Sequence, residues 1–308
     1  MPIGNTLEAQ MGYRLVGIGE FLWDFFPAGK ELGGAPANFA YDVSALGGEG
    51  LVVSSVGSDP LGDEILERLG TLSLNFDYVT SDTEHPTGTT SVSVGAEGNP
   101  SFTIREDVAW DFIPATPQLV ELGKNADAIT FGTLAQRSEV SRATIRAFVG
   151  QTRSNVLRIL DINLRQAFYS MEVIEWSLDA CDVLKVNEEE LQTLAHLLGI
   201  EGDESQVLHS LSERLNLRLI ALTKGAHGSV LYSYQQISVH GGYKTEVVDT
   251  VGCGDAFTAA LALGILEGID LETINDYANR VASFVSSKRG ATPPLPEDLK
   301  IRQWITGV

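Results

Sequence analysis

The residues Asp249-Thr250-Val251-Gly252-Cys253-Gly254-Asp255-Ala256-Phe257 are of types and spacing that could do chemistry. Gly252 and Gly254 let the backbone fold tightly and come close to a ligand. Phe257, Ala260, Leu261, Gly264 and Ile265 then mark one face of a helix starting near Cys253. The bare N–H groups and partial positive charge of such a helix start suit the oxygens of a phosphoryl group in transfer. Asp255 falls in the first turn, where the dipole keeps a carboxylate ionised and able to take a proton from an attacking hydroxyl. An Asp there could equally be a helix cap, and the local residues leave both readings open.

Two further sets of residues could hold a polar ligand. Gly33-Gly34 brings backbone against it, and Asn38, in the helix that follows, offers a donor and an acceptor for hydroxyl groups, unless it caps that helix. Asp24 is the one carboxylate in the aromatic run Phe21-Leu22-Trp23-Asp24-Phe25-Phe26-Pro27. An unpaired charge there is costly, so a polar ligand should satisfy it, the bland alternative being a solvated carboxylate. Cys253 reads as a small buried residue, since no His nearby could activate it.

The elements that must position these residues are of two kinds. From about residue 125, short apolar runs at Ala128 to Phe131, Val156 to Asp161, Val183 to Val186 and Leu219 to Thr223 alternate with helical segments. Apolar on both faces, they imply a doubly wound, mainly parallel α/β sheet flanked by helices, with right-handed crossovers. The first half differs. Thr87 to Arg105 alternates in polarity and breaks at Glu97-Gly98-Asn99-Pro100, which implies a hairpin. Phe21 to Lys30 is a second extended stretch, after a first strand at Arg14 to Ile18. Together they predict a small antiparallel β lid, built from about 20–33 and 87–110, of the kind that excludes water from an active site. No linker or repeat divides the chain, so 1–308 reads as one domain.

Composition narrows the partners. The 308 residues include 21 Lys and Arg against 41 Asp and Glu, a net charge of −20 that repels nucleic acid and anionic membranes. It also opposes a small anion such as ATP, so a nucleotide site must rest on amides, helix N-termini and a metal ion. The two cysteines, Cys181 and Cys253, form no disulfide or zinc pattern. With no leader pattern in MPIGNTLEAQMG and no membrane-length apolar stretch, the expectation is a soluble, cytoplasmic protein.

The segment DTVGCGDAF resembles the C-terminal signature of the ribokinase-like (pfkB) carbohydrate kinase family, D-T-x-G-A-G-D-x-F, with Cys253 in place of Ala. Gly33 to Gly48 is similar to the first signature, GGxxxNxAxxxxxLGG, so the resemblance spans nearly the whole chain. It implies an ATP-dependent sugar kinase with Asp255 as base and the Gly252, Cys253 and Gly254 amides around the phosphoryl group. It also implies Asp24, Gly33, Gly34 and Asn38 on the sugar. Asp161-Ile162-Asn163-Leu164-Arg165 resembles the family's D-x-N-x-R segment, where Arg165 could grip a phosphate. Asn187 and Glu190 match N-x-x-E and, by resemblance, organise a hydrated Mg2+ ion. Thr223, Gly225 and Gly228 match a T-x-G-x-x-G turn at the nucleotide, and Asn279 resembles an adenine-pocket residue. Asp249 with the Ser287 to Ala291 turn resembles a monovalent cation site, such as one for K+. Arg105 in the lid could reach the substrate, although a lone lid Arg is also an ordinary surface charge.

Within the family, Gly19 to Pro27 continued by GGAPAN looks most like the fructokinases, with ribose, 2-keto-3-deoxygluconate and nucleosides as alternative substrates. The exposed face of a β lid would offer a homodimer surface. A non-catalytic sugar or nucleotide sensor on the same fold is the rival of another class, and the intact Asp255 and its glycines argue against it. A dinucleotide fingerprint fails, because Leu22 stands where a third glycine should follow Gly17 and Gly19, and no GxxxxGK[ST] loop occurs.

Overall fold

The computed structural model describes residues 12–26, 29–94 and 100–306. Its strands are β1 (Arg14–Ile18), β2 (Leu22–Phe26), β3 (Gly29–Gly33), β4 (Glu49–Gly57), β5 (Val79–Asp82), β6 (Gly88–Val94), β7 (Pro100–Ile104), β8 (Ala128–Phe131), β9 (Leu157–Asp161), β10 (Val183–Asn187), β11 (Leu219–Thr223), β12 (Ser229–Tyr232) and β13 (Ile237–His240). Its α-helices are α1 (Ala35–Ala45), α2 (Pro60–Thr71), α3 (Pro117–Asn125), α4 (Glu139–Gly150), α5 (Met171–Ala180), α6 (Glu188–Leu197), α7 (Glu204–Leu215), α8 (Cys253–Leu266), α9 (Leu271–Ser286) and α10 (Ile301–Thr306).

Nine strands form one sheet in the order β13-β12-β11-β10-β9-β8-β1-β4-β5. Every pairing from β11 to β5 is parallel, and β12 and β13 close one edge antiparallel. Alternation along each strand sends side chains to two cores. Leu15, Ala128, Ile159 and Val183 meet α1, α8 and α9 on one face. Val16, Ile129, Leu160 and Leu184 meet the helices between α3 and α7 on the other. The apolar runs are thus strands covered on both sides, as their composition implies. The chain leaves β1 toward β4 on one side and β8 on the other, so the crevice at the carboxyl ends of β1, β8, β9 and β10 is where such a sheet binds ligands.

The second sheet has the order β3-β2-β6-β7. Each hairpin is antiparallel, and the two join through a parallel pairing of β2 with β6 that sets Asp24 opposite Thr90. Segments distant in sequence therefore build one lid, as expected; the expected break at 97–99 lies outside the described residues. The lid rests on α2, where Trp23 Nε1 donates to the Leu61 carbonyl at 3.0 Å and Lys30 pairs with Glu64.

One helix departs from expectation. Instead of a single apolar face, α8 is buried at every residue from Ala256 to Ile265, because α1, α9 and the sheet enclose it. Among the described residues no helix is long and apolar enough to cross a membrane.

Candidate active site

The two glycine motifs meet in one cleft of about 480 Å3, where the lid faces the strand ends. Gly34 ends the lid and starts α1 at φ 127°, so Asn38 is the fourth residue of that helix and not its cap. Gly252 starts α8 at φ 77°, a left-handed conformation that favours glycine, and leaves the first amides of α8 without a side-chain cap. Asp255, third in α8, is no cap either. Its Oδ2 accepts a hydrogen bond of 2.8 Å from Asn38 Nδ2, joining residues 217 positions apart.

Burial among other acids sets the proton affinity of Asp255. Loss of water, and then the negative charge of Asp161, push its carboxyl up to about 7, against the opposing pull of Asn38 and Lys185. A base with that affinity is half ionised near neutral pH, where general-base catalysis is most effective. Asp24, across the cleft, is also raised, by burial first, while a hydrogen bond with the Thr90 side chain pulls it down. Gly33 leaves room for that carboxylate, since a Cβ at 33 would collide with it.

Of the other expected residues, Arg165 lines the cleft, with its side chain half exposed and NH1 donating to the Leu164 carbonyl at 3.1 Å. Asn187 and Glu190 form the capping box of α6: Asn187 Oδ1 accepts from the Glu190 amide at 2.9 Å, and Glu190 Oε2 from the Asn187 amide at 2.9 Å. Glu190 Oε1 accepts from the Leu164 amide at 3.2 Å. Glu188 and Glu189 are exposed. Asp249 joins the turn before Pro293, taking the Val251 and Gly290 amides at 3.0 Å each. Cys253 is half-buried, and burial followed by Asp249, Asp255 and Asp42 pushes its thiol up to about 12, which fits an inert residue.

Thr223, Gly225 and Gly228 follow one another around the turn after β11 and do not line this cleft. Asn279 is buried, its Nδ2 donating to Ser229 Oγ at 2.7 Å and to Asn275 O and Oδ1, so its donors hold α9 against β12. Arg105 is exposed; strand alternation turns its neighbour Ile104 into the cleft instead.

The structure adds residues whose roles the sequence left unassigned. Lys185, in β10, places Nζ 3.0 Å from Asp161 Oδ1 at the end of β9, and Thr258 Oγ1 donates to the other Asp161 oxygen at 3.2 Å. Burial lowers the proton affinity of Lys185, but Asp161, Glu190 and Asp255 outweigh it and hold the ammonium above its ordinary range. Glu20, buried just past β1, also lines the cleft. A lysine inside the apolar run Val183 to Val186 was the available signal, since a charge in a central strand needs a buried partner.

Among the described residues no three His, Cys, Asp or Glu side chains gather as a ligand set. Magnesium usually keeps most of its waters and needs few protein ligands.

A sequence model of pfkB family carbohydrate kinases matches residues 28–298. The chain belongs to this family. An uncharacterised sugar kinase of Pyrococcus horikoshii, PH1459, is 32% identical over 284 residues, covering 89% of this chain and 87% of the relative. Fructokinase-1 of Zea mays is 31% identical over 319 residues, 94% of this chain and 97% of the maize protein. The crystal structure of PH1459 with ATP superposes with a TM-score of 0.77 at 30% identity, covering 90% and 94% of the two chains. This pfkB family chain is thus a carbohydrate kinase with the ribokinase-like fold.

Proposed function

We propose that this pfkB family kinase transfers the γ-phosphoryl group of ATP to the primary hydroxyl of fructose. The observation that carries the reading is the Asn38–Asp255 hydrogen bond, which ties the start of α1, beside the lid, to the uncapped start of α8. Asp24, Gly34 and Asn38 orient the sugar. Asp255 accepts the proton of its hydroxyl, and the amides of Gly252 to Asp255 meet the charge that builds on the transferring phosphoryl oxygens. Asn38 holds the Asp255 carboxylate toward the same cleft that Asp24 lines, so binding and proton transfer share one geometry.

A magnesium ion on the ATP phosphates supplies charge neutralisation when bound, and Glu190, fixed by two backbone amides, would hold its water shell from beside the cleft. Asp249, fixed at the turn that includes Gly290, would hold a monovalent cation such as K+. Arg165 would take a phosphate or substrate oxygen, and Thr223, Gly225 and Gly228 would border the nucleotide.

Fructose is favoured by the maize fructokinase relative and by the single basic residue, Arg165, on the exposed side of the cleft, which offers little to an acidic sugar. A coupled ADP-release screen of fructose, ribose, 2-keto-3-deoxygluconate and a nucleoside tests it. Fructose should give the highest kcat/KM; a strong signal with another acceptor and none with fructose would overturn the substrate assignment.

A further inference from the structure

Lys185 is the one lysine among the described residues that is buried, at 8% exposure. Taking an ammonium out of water costs several kcal/mol, and an ion pair such as that with Asp161 can often be replaced by apolar residues without loss of stability. Stability therefore does not explain why the pair is there. Its position is also specific: a Cβ at Gly254 would stand only 2.9 Å from Lys185 Nζ. The ammonium thus lies against the first turn of α8, whose amides and dipole carry positive charge of their own.

That convergence gives an entering anion one point of positive charge in an otherwise acidic cleft. Four carboxylates, Glu20, Asp24, Asp161 and Asp255, line the cleft against two cations, Arg165 and Lys185. The Arg165 side chain is half exposed, so Lys185 is the cation beside the α8 amides. A lysine suits the place, because a compact ammonium with three rotatable donors can turn from one oxygen to another where a planar guanidinium cannot.

We propose that Lys185 is a catalytic residue that contacts the transferring phosphoryl group, exchanging Asp161 for phosphoryl oxygens as negative charge builds on them. Asp161, kept in place by Thr258, holds the ammonium ready between turnovers. The inference rests on the kinase reading above and deepens it.

The test is a double-mutant cycle of Lys185→Met and Asp161→Asn, with Lys185→Arg as the conservative variant. Lys185→Met alone should lose both thermal stability and turnover, with kcat lower by about 10²- to 10³-fold, the usual cost of one transition-state donor. In the Asp161→Asn background the stability loss should vanish while Lys185→Met still lowers kcat by at least about tenfold, and Lys185→Arg should not restore it. If Lys185→Met has no effect on kcat in that background, Lys185 only neutralises Asp161 and the proposal fails. A second readout needs no turnover. Adding aluminium fluoride to ADP and sugar mimics the phosphoryl in flight; calorimetry should show tightened ADP binding in the natural protein and none in Lys185→Met, and equal tightening in both would overturn the proposal. Absence of sugar-dependent ADP release from the natural protein would instead sink the kinase reading itself.

Discussion

Asp42 lies one helical turn beyond Asn38 in α1, with no exposed surface and no hydrogen-bond partner for either carboxyl oxygen. Burial, and then the charge of Asp255, push its proton affinity well above the usual 3.8, so the folded protein holds it un-ionised. The unfolded chain releases that proton near pH 4, and above that value the folded state keeps it up to its own raised affinity. Stability is therefore present at low pH and lost as pH rises through the unfolded value, by about 1.4 kcal/mol per pH unit. Asp42→Asn keeps the shape and removes the titration. The variant should melt close to the natural protein at pH 4 and increasingly above it as pH rises, by about 3 °C per unit at roughly 2 °C per kcal/mol, until the raised folded-state affinity is passed. Differential scanning fluorimetry of both proteins across this range measures the gap, and other titrating groups cancel in the comparison. A gap that stays constant with pH would refute the argument, since it would mean that Asp42 ionises in the fold as readily as in the unfolded chain.

Asp255→Asn should lower kcat by about 10²- to 10⁴-fold while leaving ATP affinity nearly unchanged by calorimetry, and comparable turnover would remove Asp255 as the base. In the natural protein kcat/KM should fall as pH drops below about 7, where the Asp255 carboxyl becomes protonated, and an acid limb near pH 4 would contradict its raised affinity. Gly254→Ala places a methyl group 2.9 Å from Lys185 Nζ and should cost activity more than stability, read by kcat beside the melting temperature. Arg137 donates to both Asp111 oxygens at 2.8 Å and to the Arg105 carbonyl, and lies over the Trp110 ring. Arg137→Leu leaves Asp111 a buried, unpaired charge and should destabilise the fold by about 3 to 5 kcal/mol in urea titration, whereas an unchanged midpoint would show that Asp111 is otherwise satisfied.

What the residues disclosed was whatever local pattern governs. Runs apolar on both faces, such as Ala128 to Phe131 and Leu219 to Thr223, could only be strands under two layers of helices, and they are. The glycine pairs, expected where backbone would approach a ligand, line the cleft. Features set by three-dimensional neighbours were not legible. The parallel joining of β2 to β6 depends on where two hairpins land. The Lys185–Asp161 pair joins neighbouring strands at residues 24 positions apart, and no local rule pairs them. Two features could have been read. Strand alternation turns Arg105 outward if Ile104 faces in, and a four-residue helical step puts Asp42 on the same side of α1 as Asn38.

The complete enclosure of α8 decides which part of the molecule adapts to its substrates. Shifting that helix would open both the α1 and α9 contacts at once, so the groups at its start, where the proposal puts the phosphate, form a fixed end stop. The four-stranded sheet is anchored by Trp23 in a core shared with Ala37, Ala40, Ile65 and Leu69, while its outer strand β3 carries more exposed links, Lys30 with Glu64 and Arg289 with Glu31 at 3.6 Å. On the proposed reading, alignment of donor and acceptor atoms is left to the Asp24 side of the cleft, and selectivity among acceptors should follow the stiffness of that sheet rather than any adjustment around Asp255.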